Sequence, residues 1–175
     1  MMDLVQRFFS REKYDRVLVR KNFAQYFFSA AEHHWISNSS SRVHFEKLFS
    51  LVPSSLLETL MTKYPLTFVT SEIWKQQKVG TVQNNIIVVF PEFQRLLATN
   101  KGSAVAYLAH ELALVLLELE EKSSDNLMAE VAADKFVCDL GLSVELEELL
   151  LMLDESMKKR LRLTYLTINH FTSKI

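Results

Sequence analysis

Two short segments hold side chains whose types and spacing suit chemistry: HELAL, starting at His110, and EVAAD, starting at Glu130. A neutral imidazole is a metal ligand, and a carboxylate beside it can take a proton from metal-bound water. Residues four apart on a helix share a face, so two histidines at that spacing grip one Zn²⁺. His110 and Glu111 occupy the first-ligand and general-base positions of that arrangement. The second-ligand position is held by Leu114, which has no lone pair to offer. Glu130 and Asp134 are also four apart and share a face of their own.

The elements that would position these residues follow from periodicity and breakers. From Ala104 to Leu117 only His110 and Glu111 can carry charge near neutral pH, so this helix, running to about Glu121, is apolar all round and belongs in a core. Burying an unpaired carboxylate costs several kcal/mol, so Glu111 needs a polar cleft or a partner. After the loop KSSDN, a second helix spans Asn126 to Leu140 and stops at Gly141, a residue suited to the left-handed position beyond a helix end. Ser143 can cap a third helix, whose Glu145 and Glu147 suit its N-terminal dipole. A last helix, about Glu155 to Phe171, is expected to carry Lys158, Lys159, Arg160 and Arg162 on its wet face. Upstream, residues 11 to 36 read as one long helix, with Val17, Phe23, Tyr26, Phe27 and Ala30 at helical spacing. SNSSSR (37 to 42) is a hinge. A short helix, Val43 to Phe49, follows it. A further helix is capped by Ser54 or Ser55 and ends before Pro65. LTFVT (66 to 70) and NNIIVVF (84 to 90) have strand composition. KVGTVQ between them suggests a turn at Gly80 and a third short strand. Pro91 opens a helix to Leu97, and Gly102 or Ser103 marks a fresh start.

The order strand, HELAL helix, EVAAD helix, with the two motifs twenty residues apart and LGL closing the second helix, resembles the gluzincin class of zinc metallopeptidases. The likeness covers about residues 66 to 142. It implies His110 as first ligand, Glu111 as general base, Glu130 as third ligand and Asp134 as the partner that orients His110. It also implies that strand 84–90 is an edge strand for extended substrate. Leu114 breaks the ligand set, and loss of one of three protein ligands removes both affinity and the geometry that lowers the pKa of bound water. Without a metal, His110 is expected to bond Glu130 or Asp134 across the two helices as a polar staple. Restoring the histidine, Leu114→His, is expected to create tight zinc binding if the geometry survives.

The chain has 175 residues, 49% of them hydrophobic, only three glycines, a net charge of −1 and one cysteine, Cys138. These values suit a single helix-rich domain. They exclude an intrachain disulfide framework and give no global field for nucleic acid. No apolar run reaches membrane-spanning length, and a reducing, cytoplasmic setting fits one thiol. The expected fold is a mostly helical α+β domain over 1–175. It comprises an N-terminal helical segment (1–36), a zincin-like core (66–142) with a two- or three-stranded sheet, and C-terminal helices (143–175). The expected function is that of a pseudopeptidase, a binding or scaffold domain for a protein or peptide, with no cofactor and His110 and Glu130 as vestigial ligands. One alternative is a weakly active zinc peptidase, its site completed by water or by His33, His34, His44 or His170. Of these, His33 and His34 read as a solvated helix end. The other alternative is a helical interaction module unrelated to peptidases. VELEELLLMLDESM offers a stripe for packing on the body or on a second subunit in a homodimer.

Overall fold

A computed structural model describes residues 16–37, 39–71, 85–99, 101–119 and 126–172, of which 118, 119, 126 and 169–172 are described by backbone alone. The fold is α+β and mostly helical, with a two-stranded parallel sheet. The chain forms two compact units, 1–100 and 101–175, so their boundary falls inside the stretch 66–142. Among the described residues no helix is long and apolar enough to cross a membrane.

The first unit contains α1 (Arg16–Ser29), a 3-10 turn (Ala31–His33), α2 (His34–Ser37), α3 (Arg42–Leu51) and α4 (Ser54–Thr62). These are followed by β1 (Leu66–Thr70), β2 (Asn85–Val89) and α5 (Pro91–Leu97). The single long helix expected over 11–36 is broken, because Ala30 takes extended backbone (φ −66°, ψ 135°) and the chain re-enters through the 3-10 turn. Phe23 and Phe27 face the core, whereas Val17 and Tyr26, read as members of the same stripe, are exposed. Phe27 is the hub of an aromatic cluster, with ring centroids 5.0 Å from Phe49, 5.5 Å from Phe45 and 6.0 Å from Phe68. Such offset and edge-on pairs add about 0.5–1.5 kcal/mol each beyond their burial. The serine caps expected for α4 are absent: Pro53 precedes the helix, and no side chain caps it. Arg20 on α1 donates to the carbonyls of Phe49 and Val52 at 3.2 Å each, satisfying acceptors at the end of α3.

β1 and β2 pair in parallel with Leu66 opposite Asn85 and Thr70 opposite Val89. Every residue of β1 is buried, as parallel strands covered on both faces require. The other edge of β1 is closed by side chains. The Phe68 N–H donates to His33 Nε2 at 3.1 Å, and Trp35 Nε1 donates to the Phe68 carbonyl at 3.1 Å. The turn at Gly80 and the third strand expected in KVGTVQ lie outside the described residues.

The second unit is built of α6 (Ser103–Leu119), α7 (Asn126–Asp139), α8 (Ser143–Met152) and α9 (Met157–Thr172). α6 packs on α7 and α8, and α9 packs on α7 and α8. Ala104 to Ala109 of α6 are all buried, as its unbroken apolar surface demands. α7 ends where Gly141 takes φ +81°. There the Leu142 N–H bonds the Val137 carbonyl (3.2 Å) and the Gly141 N–H bonds that of Cys138 (2.9 Å), the double closure of a left-handed helix stop.

Candidate functional site

His110 sits midway along α6, 5% exposed, and bridges two acids of α7. Its Nδ1 lies 3.1 Å from Asp134 Oδ1 and its Nε2 3.2 Å from Glu130 Oε2. The i, i+4 spacing of the acids makes this possible: it places two carboxylates one turn apart on the face of α7 turned to α6. An acceptor at each ring nitrogen favours the doubly protonated imidazolium. Burial by itself would lower its pKa, but the bonds to Asp134 and Glu130 prevail and hold it above the ordinary 6.5. Burial would raise Glu130. Its bonds to His110 and Lys158, with the nearby Arg162 charge, instead bring it down to about 2.

The fourth member of the cluster comes from α9 and was misplaced by the sequence reading. Arg162, expected on the wet face, is 6% exposed. Its Nε and Nη2 donate to the two oxygens of Asp134 at 2.7 Å each. Its Nη1 donates to Glu130 Oε2 at 2.8 Å, and Nη2 stands 3.4 Å from His110 Nδ1. Lys158, one turn earlier, donates to Glu130 Oε1 at 2.5 Å. Asp134 is wholly buried, so this is a forked guanidinium–carboxylate pair out of water, the geometry in which arginine is strongest. Arg160 does face solvent and pairs with Glu155 at 2.7 Å. Lys159 closes α8 by donating to the carbonyls of Leu151 (3.2 Å) and Leu153 (2.8 Å). A signal for Arg162 existed. Two buried acids on one helix face require more positive charge than one histidine supplies, and Arg162 shares its face of α9 with Lys158 and Leu166 at four-residue spacing.

Glu111 is half-buried, and among the described residues its carboxylate has no hydrogen-bond partner. Burial raises its pKa, the His110 charge opposes that, and the Glu130 charge adds to it. The general-base position is therefore held by a carboxyl with an elevated proton affinity. Leu114, one turn beyond His110, is half-buried.

The donor set does not fit zinc as arranged. Both nitrogens of His110 face carboxylates rather than a common point. The acids accept from Arg162 and Lys158, and Leu114 has no donor atom. Among the described residues no three His, Cys, Asp or Glu side chains converge on one position. Two of the remote histidines, His33 and His44, are engaged within the first unit. His33, read as a solvated helix end, is 2% exposed. Its Nδ1–H donates to the Phe27 carbonyl at 2.7 Å, its Nε2 accepts from Phe68, and its ring stacks on Phe27 at 3.7 Å. The 3-10 turn rotates it inward and leaves His34 exposed. His44 is buried, with Nε2 2.6 Å from the Thr99 carbonyl. The side chain of His170 lies outside the described residues.

The chain matches no protein-family model, no curated protein and no solved structure.

Proposed function

We propose that the protein is a non-catalytic, peptidase-like binding or scaffold domain. In this reading the ligand positions of a zinc site persist as a buried ionic staple. One observation carries the reading: the Arg162 guanidinium bonds both Asp134 and Glu130, so the acids facing His110 are already satisfied by a side-chain cation. The convergence of His110 on Glu130 and Asp134 supports the likeness drawn from HELAL and EVAAD. The site residues would then orient helices rather than substrate: His110 and Arg162 hold α6 and α9 on α7, and Glu111 stays idle. The partner class is a protein or extended peptide. β2 suits strand addition, because β1 is its only described neighbour in the sheet and the far edge of β1 is closed by His33 and Trp35. A reducing, cytoplasmic home goes with this reading.

The test is elemental analysis of the purified full chain together with peptide-hydrolysis assays on unstructured substrates, with and without added zinc. The expected result is substoichiometric zinc, unchanged by His110→Ala, and no hydrolysis above background. Near-stoichiometric zinc lost in His110→Ala, with hydrolysis lost in Glu111→Gln, would establish the zinc-peptidase alternative instead.

A further inference from the structure

His110 and His33 are both buried, and they are wired in opposite senses. His110 has a carboxylate at each ring nitrogen, so a second proton is favoured there. His33 has a backbone carbonyl at one nitrogen and a backbone N–H at the other. Its Nδ1–H donates to Phe27, which leaves the Nε2 lone pair to accept from Phe68. That second bond exists only in the neutral ring, because an imidazolium carries a donor at both nitrogens.

The place of this bond in the sheet gives it a consequence. Alternate residues of a parallel strand bond to opposite sides. The Asn85 N–H donates to the Pro65 carbonyl at 3.0 Å, so Phe68 turns its own N–H and C=O away from β2. His33 accepts from that N–H, and Trp35 Nε1 donates to that carbonyl. Two side chains thus supply the acceptor and the donor that a third strand would. They belong to one short segment, since the 3-10 turn of His33 runs straight into α2, and Ser37 Oγ donates back to the His33 carbonyl at 3.1 Å.

Among the described residues no buried acid faces the ring to hold it charged. β1 has no acidic or basic side chain. α1 turns Phe23 and Phe27 inward, and its Arg20 is bonded to the carbonyls of Phe49 and Val52. α3 contributes the rings of Phe45 and Phe49, while its Arg42 lies over Phe28 and pairs with Glu46, and its His44 bonds the Thr99 carbonyl. On α2, His34 is exposed. Glu32, exposed and adjacent in the chain, is the charge that bears on His33.

We propose that His33 is a proton-operated latch on the far edge of β1. A proton taken from solvent at Nε2 sets an N–H against the Phe68 N–H. The ring withdraws, Trp35 follows, and the outward backbone groups of Phe68 become free to pair with another extended segment. The edge is capped while the ring is neutral and open in acid. Burial holds the folded ring below the ordinary 6.5, so the withdrawn ring binds the proton more readily than the seated one. The latch lies within the first unit and does not depend on the peptidase-like reading.

The experiment is amide hydrogen exchange on the full chain, followed residue by residue from about pH 8 to about pH 4 and corrected for the intrinsic rate. Opening coupled to one proton should lower protection of the Phe68 amide about tenfold per pH unit below 6.5. The Leu48 amide, inside α3, should stay better protected than Phe68 at every pH. His33→Gln, which offers an acceptor oxygen and a donor without titrating, should abolish the slope. A parent whose Phe68 protection does not vary with pH overturns the latch, whether or not the variant folds. So does a Phe68 protection equal to that of Leu48 throughout, because the edge would then open only as the whole unit unfolds. A slope that persists in folded His33→Gln assigns the proton to another group and overturns it too.

Discussion

Replacing Arg162 with alanine removes three charge-assisted hydrogen bonds at once, two to Asp134 and one to Glu130. Asp134 is wholly buried and is left with His110 Nδ1, 3.1 Å away, as its remaining cation. Breaking a buried pair by deleting one partner costs about 3–5 kcal/mol. The charge of His110 survives and Glu130 keeps Lys158, so the lower end, about 3 kcal/mol, is expected. For a chain of this size that corresponds to a fall of about 6–12 °C in Tm. Arg160→Ala is the matched control. Its pair with Glu155 is exposed at 69% and 59%, so it should leave stability nearly unchanged. Far-UV circular dichroism is the right probe, because both tryptophans, Trp35 and Trp74, belong to the first unit and would miss a loss confined to the second. The cycle of Arg162→Ala, Asp134→Ala and the double variant isolates the coupling, expected at about 2 kcal/mol or more. A coupling below about 0.5 kcal/mol, or an Arg162→Ala Tm equal to that of Arg160→Ala, would refute the claim that the guanidinium holds the cluster together.

Leu114→His, on the expectation drawn from spacing alone, creates tight zinc binding. With His110 and both acids occupied, it should instead leave zinc binding weak, with Kd above about 10 µM by calorimetry; submicromolar binding would show that the acids exchange guanidinium for metal readily. His33→Leu strands the Phe68 N–H, leaves the Phe27 carbonyl with only the 3.4 Å bond from the Ala30 N–H, and should cost about 1–3 kcal/mol. Protection of the Phe68 amide against hydrogen exchange should fall with it, and an unchanged exchange rate there would remove His33 from the edge of β1. Burial lowers the pKa of His33 below 6.5 despite its bond to Phe27 and the nearby Glu32 charge. The unfolded chain therefore binds that proton more readily, and stability measured by Trp fluorescence should fall as pH drops below 6.5. A parent whose stability slope there equals that of His33→Leu would contradict this. His110 has the opposite sign: its raised pKa contributes stability below pH 6.5 that is lost as pH rises through the folded value. The contribution of Glu130, present above 4.5, is lost as pH falls toward about 2. Unfolding of the second unit, followed by circular dichroism, should thus be most resistant between those limits, and a flat profile would count against the cluster.

Legibility in the sequence followed the physics of each element. HELAL and EVAAD could be brought together on paper because helical spacing fixes which side chains share a face, and burial of α6 compelled His110 to find partners on α7. Arg162 was lost in MKKRLR, where four cations among six residues obscure which of them point inward, and composition favours solvent for all of them. The strands LTFVT and NNIIVVF were readable from β-branched content, within a residue at each end. Their parallel pairing was not, since direction depends on the crossover rather than on the strands themselves. Of the doublet at 33 and 34, expected in solvent, His33 is instead buried, because a 3-10 turn advances the chain by a different angle from an α-helix and turns it inward while His34 stays exposed.

Lys158 and Glu130 are separated by 28 residues, and so are Arg162 and Asp134. α7 and α9 therefore run in the same direction with one fixed offset, and the two rungs act as a vernier. If α9 slid by one helical turn, about 5.4 Å, Arg162 would meet Glu130 while a leucine arrived opposite a carboxylate that water cannot reach. Greasy contacts alone tolerate such slippage; a buried anion does not. The ionic ladder thus serves as an alignment mark, and swapping it for aliphatic side chains of equal volume would trade a unique seating of the terminal helix for several nearly equivalent ones.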